Sequence, residues 1–254
     1  GCTIRGNQSA WEGGGVYVSK GSVTLDSVTL TENTASAGNG GGGIYLPSSD
    51  GSVTVKDSTI TKNKARYDGG GVLAFGGYLT LDGKVIIKDN RDSSTEAADD
   101  LYVNSMSEGR VSIIADTFDT ESKVIFTERF GQYTGAYYVS NAEALNAEQL
   151  DCLTTDKGRE FVKADDGKVY VATALDWSQW GPVKNTGLTY NGTEQTGVTA
   201  PDGADAYYTV ESTQAWQANA AFAQDSEYRS GYTAVVKLKP GYAWYDSTTG
   251  TYSV

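Results

Sequence analysis

The chain has 254 residues, of which 31 are glycines, and its 20 basic and 32 acidic side chains give a net charge of −12. This balance argues against nucleic acid and anionic membranes as partners, because both bind through clustered positive charge. No apolar run is long enough to cross a bilayer. The chain contains no histidine, which removes the commonest general base, the Ser–His and Cys–His nucleophile pairs and the usual zinc ligand.

A triplet of glycines followed by a short apolar strand recurs near the start of the chain. The three copies are GGGVYV at 13–18, GGGIYL at 41–46 and GGGVLA at 69–74, so the period is 28 residues. A nucleotide-binding loop needs its glycines once, and neither Lys nor Ser/Thr follows these triplets in register. A fixed period of this length instead predicts a repeat architecture.

Two further marks keep step with the glycine triplets. An asparagine ends an apolar segment at Asn7, Asn33, Asn63 and Asn90, and a segment of the type GSVTL lies between each triplet and the next asparagine. Each repeat therefore holds three short alternating strands separated by turn residues. Three such strands bury a core only when repeats stack, so the sequence predicts an all-β solenoid, a parallel β-helix with three strands and about 28 residues per coil.

The predicted coils place equivalent side chains in inward rows, since each strand pairs with its equivalent in the next coil about 4.8 Å away. The rows are Val16, Ile44, Val72 and Leu101 on the first strand, Val23, Val53 and Leu79 on the second, and Ile4, Leu30, Ile60 and Ile87 on the third. The four asparagines are predicted to form a structural ladder, because a stacked amide satisfies backbone groups that an inward bend would strand.

The two cysteines are expected to be free. Cys2 falls in an inward row with Val28, Ser58 and Val85, where we expect it to be a small core residue. Cys152 lies about four coils further on, which is beyond the reach of a disulfide. The spacing of the two cysteines matches no metal motif, and we expect neither a metal site nor a cofactor.

The repeat pattern [VI]TLTxNTA…GGG[IV]Y[VL]…GSVTL resembles the right-handed parallel β-helix repeats of adhesin-like surface proteins of gut Firmicutes. It is also loosely similar to the chlamydial polymorphic outer-membrane proteins, which have GGA[IVL] and FxxN elements. The resemblance covers about residues 1–175. It implies a right-handed β-helix on the outside of a bacterial cell, with glycans or host surface proteins as partners and no direct membrane insertion.

Beyond residue 104 the repeat loosens, and residues 104–175 are predicted to form final coils and a cap. KVIFTERFGQYTGAYYV and REFVKADDGKVYVATA are interpreted as further strands, and NAEALNAEQLD as a short helical stretch. A cap is expected because the open end of a solenoid must be covered to prevent edge pairing. The first domain is therefore placed at residues 1–175.

The composition changes near residue 176, since three of the four prolines and four of the five tryptophans lie in 177–254. Short strands separated by turn residues predict a small antiparallel sandwich over 176–254. GLTYNGTEQTGV and SGYTAVVKLKPGYAWYD resemble bacterial Ig-like modules, in which the matching positions are Tyr190, Asn191, Gly192, Gly231, Tyr232, Gly241, Tyr242 and Trp244. The resemblance implies an Ig-like β-sandwich, and the sequence stops before the family's last strand, so an incomplete module is expected.

Catalysis is tested by looking for paired carboxylates, because some parallel β-helices are polysaccharide lyases or glycoside hydrolases. Hydrolysis needs two carboxyl groups roughly 5 to 10 Å apart across a sugar cleft. The pairs Asp99–Asp100 and Asp165–Asp166 stand in turn-like sequence, and neighbours on a strand face opposite ways. We therefore expect that the chain is not an enzyme. The alternative is a polysaccharide lyase or glycoside hydrolase of the β-helix class.

Binding is the better-supported interpretation. The outward neighbours of the first strand are Tyr17, Tyr45, Leu73 and Tyr102, and the tyrosines of this row are predicted to bind ligand by stacking on sugar rings. Cross-coil packing is the alternative explanation of the row. A third interpretation is a rigid stalk that holds another domain away from the cell. Because residue 1 begins neither a signal peptide nor a start methionine, we expect further domains in the same chain.

Overall fold

The computed structural model describes residues 1–104, 110–128, 134–176, 183–184, 198–200, 202, 204–210, 232–239, 241–249 and 251–253. The chain divides into two compact units, Gly1–Val171 and Ala172–Val254. No helix within the described ranges is long and apolar enough to span a membrane.

The first unit is a parallel β-helix built from stacked coils. Sheet 1 contains the strands that follow the glycine triplets, Val16–Tyr17, Ile44–Leu46, Val72–Ala74 and Leu101–Val103. Sheet 2 contains Gly21–Asp26, Gly51–Lys56, Tyr78–Asp82 and Val111–Ile113. Sheet 3 contains Cys2–Arg5, Val28–Thr31, Thr59–Thr61, Ile86–Lys88 and Lys123–Phe126. All neighbours in these sheets pair in parallel, which confirms the parallel β-helix.

Each coil also has a fourth strand, so the prediction of three strands per coil was incomplete. Sheet 4 consists of the two-residue strands Gln8–Ser9, Thr34–Ala35, Lys64–Ala65 and Arg91–Asp92, each directly after a ladder asparagine. The asparagine ladder fixes the register of the sheet 4 strands that follow it. For example, the Thr34 N–H donates to the Asn7 carbonyl at 2.9 Å. Two residues are too few to show an alternating pattern, which is why the sequence did not reveal this sheet.

The inward rows have the predicted registers. Val72 pairs with Ile44 and with Leu101, and all three side chains are fully buried. The rows of sheets 2 and 3 are likewise in register and contribute to one continuous apolar cluster. The expectation for Cys2 was wrong: it pairs with Val28 as predicted, but it lies in the first coil and is exposed. Both cysteines are free, as expected.

The glycine triplets meet two steric requirements at the entry to sheet 1. Gly41 has a φ of 70°, and a Cβ there would lie 2.6 Å from the Cβ of Tyr45. A Cβ on Gly42 would lie 2.3 Å from the carbonyl oxygens of both Gly70 and Lys64. The backbone therefore turns left-handed and then passes against the neighbouring coil, which only glycine permits.

The final part of the first unit contains short helices and strands. Its elements are the α-helices Gly135–Tyr138 and Ala147–Leu150, the 3₁₀ helix Ala142–Ala144, and the strands Leu153–Thr155, Glu160–Lys163 and Val169–Asp176, the last of which continues into the second unit. The helical interpretation of NAEALNAEQLD is confirmed. The strand interpretation of GAYY was wrong: Tyr137 and Tyr138 are buried in an aromatic cluster with Phe126 and Phe161, and this packing outweighs local strand propensity.

The second unit consists of short β-ladders. Val183–Lys184 pairs antiparallel with Val198–Thr199, and Ala204–Val210 pairs antiparallel with Tyr232–Leu238. Tyr242–Asp246 pairs antiparallel with Thr251–Ser253 and parallel with residues 173–176. Of the positions that resemble an Ig-like module, Tyr190, Asn191, Gly192 and Gly231 lie outside the described residues. The Ig-like sandwich remains a prediction.

Candidate functional site

The outward row of sheet 1 is largely covered. Tyr17 is 53% exposed, but Tyr45 and Tyr102 are only 3% and 6% exposed and form a buried cluster with Leu73. The covering is local, because the turn at Gly41 passes directly over Tyr45, and Phe75 packs against the same ring at 6.4 Å. The expectation of an exposed tyrosine face is therefore wrong for Tyr45 and Tyr102, whose rings have no free face for a sugar. Only Tyr17 of this row is accessible.

The four asparagines form a continuous chain of amides. The side-chain oxygen of Asn33 accepts from the backbone and side-chain amides of Asn7, at 3.1 and 3.0 Å, and Asn63 does the same for Asn33. The side-chain amides of Asn33, Asn63 and Asn90 each also donate to a carbonyl of the preceding coil, as Asn63 does to Leu30 at 3.1 Å. Asn33, Asn63 and Asn90 are fully buried. This arrangement satisfies backbone groups at the inward bend, and the three buried amides are not accessible to a ligand.

The loops between sheet 4 and sheet 1 lie one above another along one edge of the β-helix. The loop edge, as we call it, consists of residues 10–12, 36–40, 66–68 and 93–98, which join strands held in register at both ends. In the first and third coils the loop has three residues with an aromatic side chain in the middle, Trp11 and Tyr67. These side chains are 70% and 52% exposed. The loop edge thus presents two large aromatic side chains at equivalent positions two coils apart.

A groove of about 480 Å³ lies on the loop edge beside Tyr67. Its lining residues come from three successive coils and are mostly polar: Gly38, Asn39, Arg66, Tyr67, Asp68, Asp92 and Ser94. The guanidinium of Arg66 lies over the Tyr67 ring, 5.6 Å from its centroid. An exposed aromatic ring beside charged and amide groups is a surface that suits sugars, which have both apolar faces and hydroxyl edges.

Asp92 is held in a fixed, ionised state at one side of this groove. Its Oδ1 accepts from the backbone N–H and the hydroxyl of Ser94, both at 2.6 Å, and from the Thr95 N–H at 3.3 Å. Burial raises the pKa of Asp92, but these hydrogen bonds outweigh it and leave the pKa below its usual value. The carboxylate is therefore an oriented hydrogen-bond acceptor.

Hydrogen bonds of Asn39 connect the groove to the first coil. The backbone N–H of Asn39 donates to the Glu12 carboxylate at 3.3 Å, and its side-chain amide donates to the Tyr45 hydroxyl at 3.1 Å. Burial raises the pKa of Tyr45, which keeps that hydroxyl protonated. Tyr45 thus contributes to the loop edge by fixing Asn39. Glu12 follows Trp11 directly, so polar groups extend from one aromatic residue toward the other.

The two adjacent acid pairs lie in different surroundings, one buried and one in an exposed turn. Asp99 and Asp100 are both 1% exposed, with Asp99 accepting from the Thr127 hydroxyl at 2.9 Å. Asp166 accepts from the Lys168 N–H and the Tyr170 hydroxyl in an exposed turn next to Asp165. No group of three or more metal-binding side chains occurs among the described residues.

One further carboxylate, that of Glu128, is buried in an ion network. It accepts from the Thr155 hydroxyl at 3.2 Å and pairs with Arg159 and, at 3.6 Å, with Lys157. Its side chain is 1% exposed. These partners compensate a carboxylate that would be costly to bury unpaired at the end of the β-helix.

Comparison with known proteins agrees with this architecture. The family model described as right handed beta helix region matches residues 1–117. No curated protein matches the chain, and no solved structure matches it either. The matched family and the stacked parallel sheets together identify the first unit as a right-handed parallel β-helix.

A signal for the loop edge is present in the sequence, where an aromatic residue and an acid precede the glycine triplet in two of the coils. SAWEGGG and ARYDGGG share an aromatic residue, an acid and the glycine triplet, but the equivalent segment of the intervening coil, ASAGNGGGG, is two residues longer. Alignment on the triplets alone brings Trp11 and Tyr67 to the same position.

Proposed function

We propose that the chain is a non-catalytic, extracellular part of a bacterial adhesin-like surface protein and binds carbohydrate at the loop edge. The observation that supports this best is the pair of exposed aromatic side chains, Trp11 and Tyr67, in equivalent loops beside a polar groove. The continuous core and the amide ladder give these loops a rigid support, and rigid elements hold binding groups in place. Host or dietary glycans and glycosylated surface partners are the ligand class.

Three observations support a non-catalytic role. The chain has no histidine. The carboxylates of Asp99, Asp100 and Glu128 are buried beyond the reach of a polysaccharide. In the groove, Asp92 is ionised and bound to Ser94, so it has no proton to donate as a general acid.

A glycan array and a product-release assay test the proposal. The purified chain is expected to bind a subset of glycans and to release no reducing ends or unsaturated products from pectin, polygalacturonate or xylan. Tyr67→Ala should weaken the array signal, whereas Tyr78→Ala should not. Tyr78 is a matched control because it is 47% exposed and also lies under an arginine, Arg110 at 4.7 Å, but stands on the face of sheet 2.

The outcomes separate the alternatives. Product release would make the chain a polysaccharide lyase or hydrolase. A silent array would favour a stalk. A signal lost in Tyr17→Ala and retained in Tyr67→Ala would return the site to the sheet 1 row, where Tyr17 is the accessible tyrosine.

A further inference from the structure

The loop edge has a geometry that distinguishes between classes of polysaccharide. Resting on the proposed function, we infer that it binds uncharged, extended β-1,4-linked chains that lie parallel to the axis of the β-helix. Trp11 and Tyr67 stack on every second sugar, Asn39 faces the sugar between them, and the remaining groove groups bind hydroxyls beside and beyond Tyr67.

The spacing of the two aromatic residues supports an extended chain. Trp11 and Tyr67 occupy the same loop position two coils apart, which corresponds to about 10 Å along the axis. In an extended β-1,4-linked chain each sugar advances by about the rise of one coil and is flipped relative to its neighbour. Alternate sugars therefore present the same face at the spacing of two coils.

The second coil, between those of Trp11 and Tyr67, leaves room for the sugar that lies between the two stacked sugars. Its loop is two residues longer than the flanking loops and contains the small residues Ala37 and Gly38. Gly38 has a φ of 70°, and the Glu12 carboxylate occupies the space where its Cβ would point, 2.4 Å away. The left-handed φ therefore disfavours a larger residue at Gly38. Asn39, at the same level, is exposed, and because its side-chain N–H groups donate to Tyr45 and Glu12, its side-chain oxygen is the group that can accept from a sugar hydroxyl.

The charges of the loop edge select against acidic sugars. Arg66 is the cationic side chain of the groove, and no hydrogen bond or ion pair of its guanidinium occurs among the described residues. Two carboxylates, those of Glu12 and Asp92, lie in the same stretch. They outnumber the guanidinium of Arg66, so uronic or sialic acids are repelled, whereas neutral sugar hydroxyls can donate to these two carboxylates and accept from Arg66.

The spacing of the two aromatic residues also selects against coiled chains. Trp11 and Tyr67 lie on a short line only two coil rises long, because the strands on both sides of their loops are in register. An α-1,4-linked glucan curves away from such a line after a few sugars and cannot contact both Trp11 and Tyr67.

Isothermal titration with four hexasaccharides tests the inference: cellohexaose, mannohexaose, maltohexaose and hexagalacturonate. We expect the chain to bind at least one of the two β-1,4-linked neutral chains more tightly than maltohexaose and hexagalacturonate. Trp11→Ala and Tyr67→Ala should each lower that affinity about fivefold to tenfold. Tyr78→Ala should leave it unchanged. All three side chains are exposed, so thermal melts should be similar and exclude misfolding as the cause.

Failure of the inference differs from failure of the proposed function. Tighter binding of hexagalacturonate or maltohexaose that depends on Tyr67 would overturn the selectivity and keep a carbohydrate site at the loop edge. Loss of affinity in Tyr67→Ala without loss in Trp11→Ala would overturn the two-platform geometry. An absence of binding to every glycan of the array would overturn the proposed function itself.

Discussion

Asn90 donates two hydrogen bonds to one carboxylate oxygen of Asp100, from its backbone N–H at 2.7 Å and from its side-chain amide at 2.9 Å. The ladder of neutral amides thus ends on a buried acid. Asp100 directly precedes the sheet 1 strand Leu101–Val103, so the ladder is connected at its last rung to a different face of the β-helix. Burial raises the pKa of Asp100 to about 6 despite the bonds from Asn90.

The first prediction concerns the pH dependence of stability. The pKa of Asp100 is higher in the folded chain, about 6, than the ordinary aspartate value of 3.8, so the folded state binds this proton more tightly. The contribution of Asp100 is therefore most favourable below pH 3.8 and is lost as the pH rises through about 6. The full difference is about 3 kcal/mol.

Asp100→Asn isolates this effect, because an amide oxygen can still accept from Asn90 while the charge is removed. We expect it to raise the free energy of unfolding by about 1 to 3 kcal/mol at pH 7 and much less at pH 4. Urea denaturation of both proteins at several pH values measures the difference. Asp116→Asn, a change in an exposed turn, is the control. An equal gain at pH 4 and pH 7 would show that the charge of Asp100 is not the cause.

The second prediction compares two rungs of the ladder. Asn63→Ala removes the acceptor of two Asn33 donors and leaves the buried Leu30 carbonyl without its side-chain partner. We expect a loss of about 1 to 3 kcal/mol of stability. Asn7→Ala should cost less, because Asn7 is exposed. Chemical denaturation of the two variants measures the difference, and equal midpoints would contradict the importance of burial in the ladder.

The third prediction concerns the glycine triplet. Gly42→Ala puts a methyl group 2.3 Å from two backbone carbonyl oxygens, which cannot move without separating the coils. We expect destabilisation by about 3 kcal/mol or more, beyond the usual cost of overpacking. Gly6→Ala is the control, since its φ is 67° but nothing lies within 4 Å of the added Cβ. It should cost only the backbone strain of about 1 to 2 kcal/mol. Thermal melts that rank the two variants in the opposite order would contradict this account.

The coils could be predicted from the sequence because strand alternation determines which side chains point inward and the fixed period determines which strands stack. Once the triplets are aligned, a one-residue error would turn Ile44 and Val72 outward, so the register is strongly determined. The burial of Tyr45 could not be predicted in this way. An outward direction on a strand does not determine exposure, and the covering turn depends on the left-handed φ of Gly41, which the alternating pattern does not encode.

The candidate site was missed for a different reason. Loop residues have no alternation, and the loops of the first two coils differ in length, so Trp11 and Tyr67 do not stand out at a fixed period. Trp11 and Tyr67 come close together because the sheet 4 and sheet 1 strands on both sides of their loops are in register. Likewise, the helix at Gly135–Tyr138 results from tertiary burial of its tyrosines, which local propensity cannot reveal.

The last prediction concerns the end of sheet 2. Asn141 forms two hydrogen bonds with one residue of the final strand, accepting from the Ile113 N–H at 3.0 Å and donating to the Ile113 carbonyl at 2.7 Å. Ser140 donates to the Val111 carbonyl at 2.8 Å through its backbone. These contacts occupy an edge that would otherwise pair with another strand.

Asn141→Ala should therefore have two effects. The loss of both bonds is expected to lower the free energy of unfolding by about 1 to 3 kcal/mol. The uncovered strand Val111–Ile113 should also promote self-association, seen by sedimentation velocity as concentration-dependent dimers and larger species. Asn146→Ala is the matched control, because it removes the capping box of the helix Ala147–Leu150 at a cost of about 1 kcal/mol but leaves the edge covered. If Asn146→Ala associates as strongly as Asn141→Ala, general destabilisation explains the association, and the amide of Asn141 does not protect the edge.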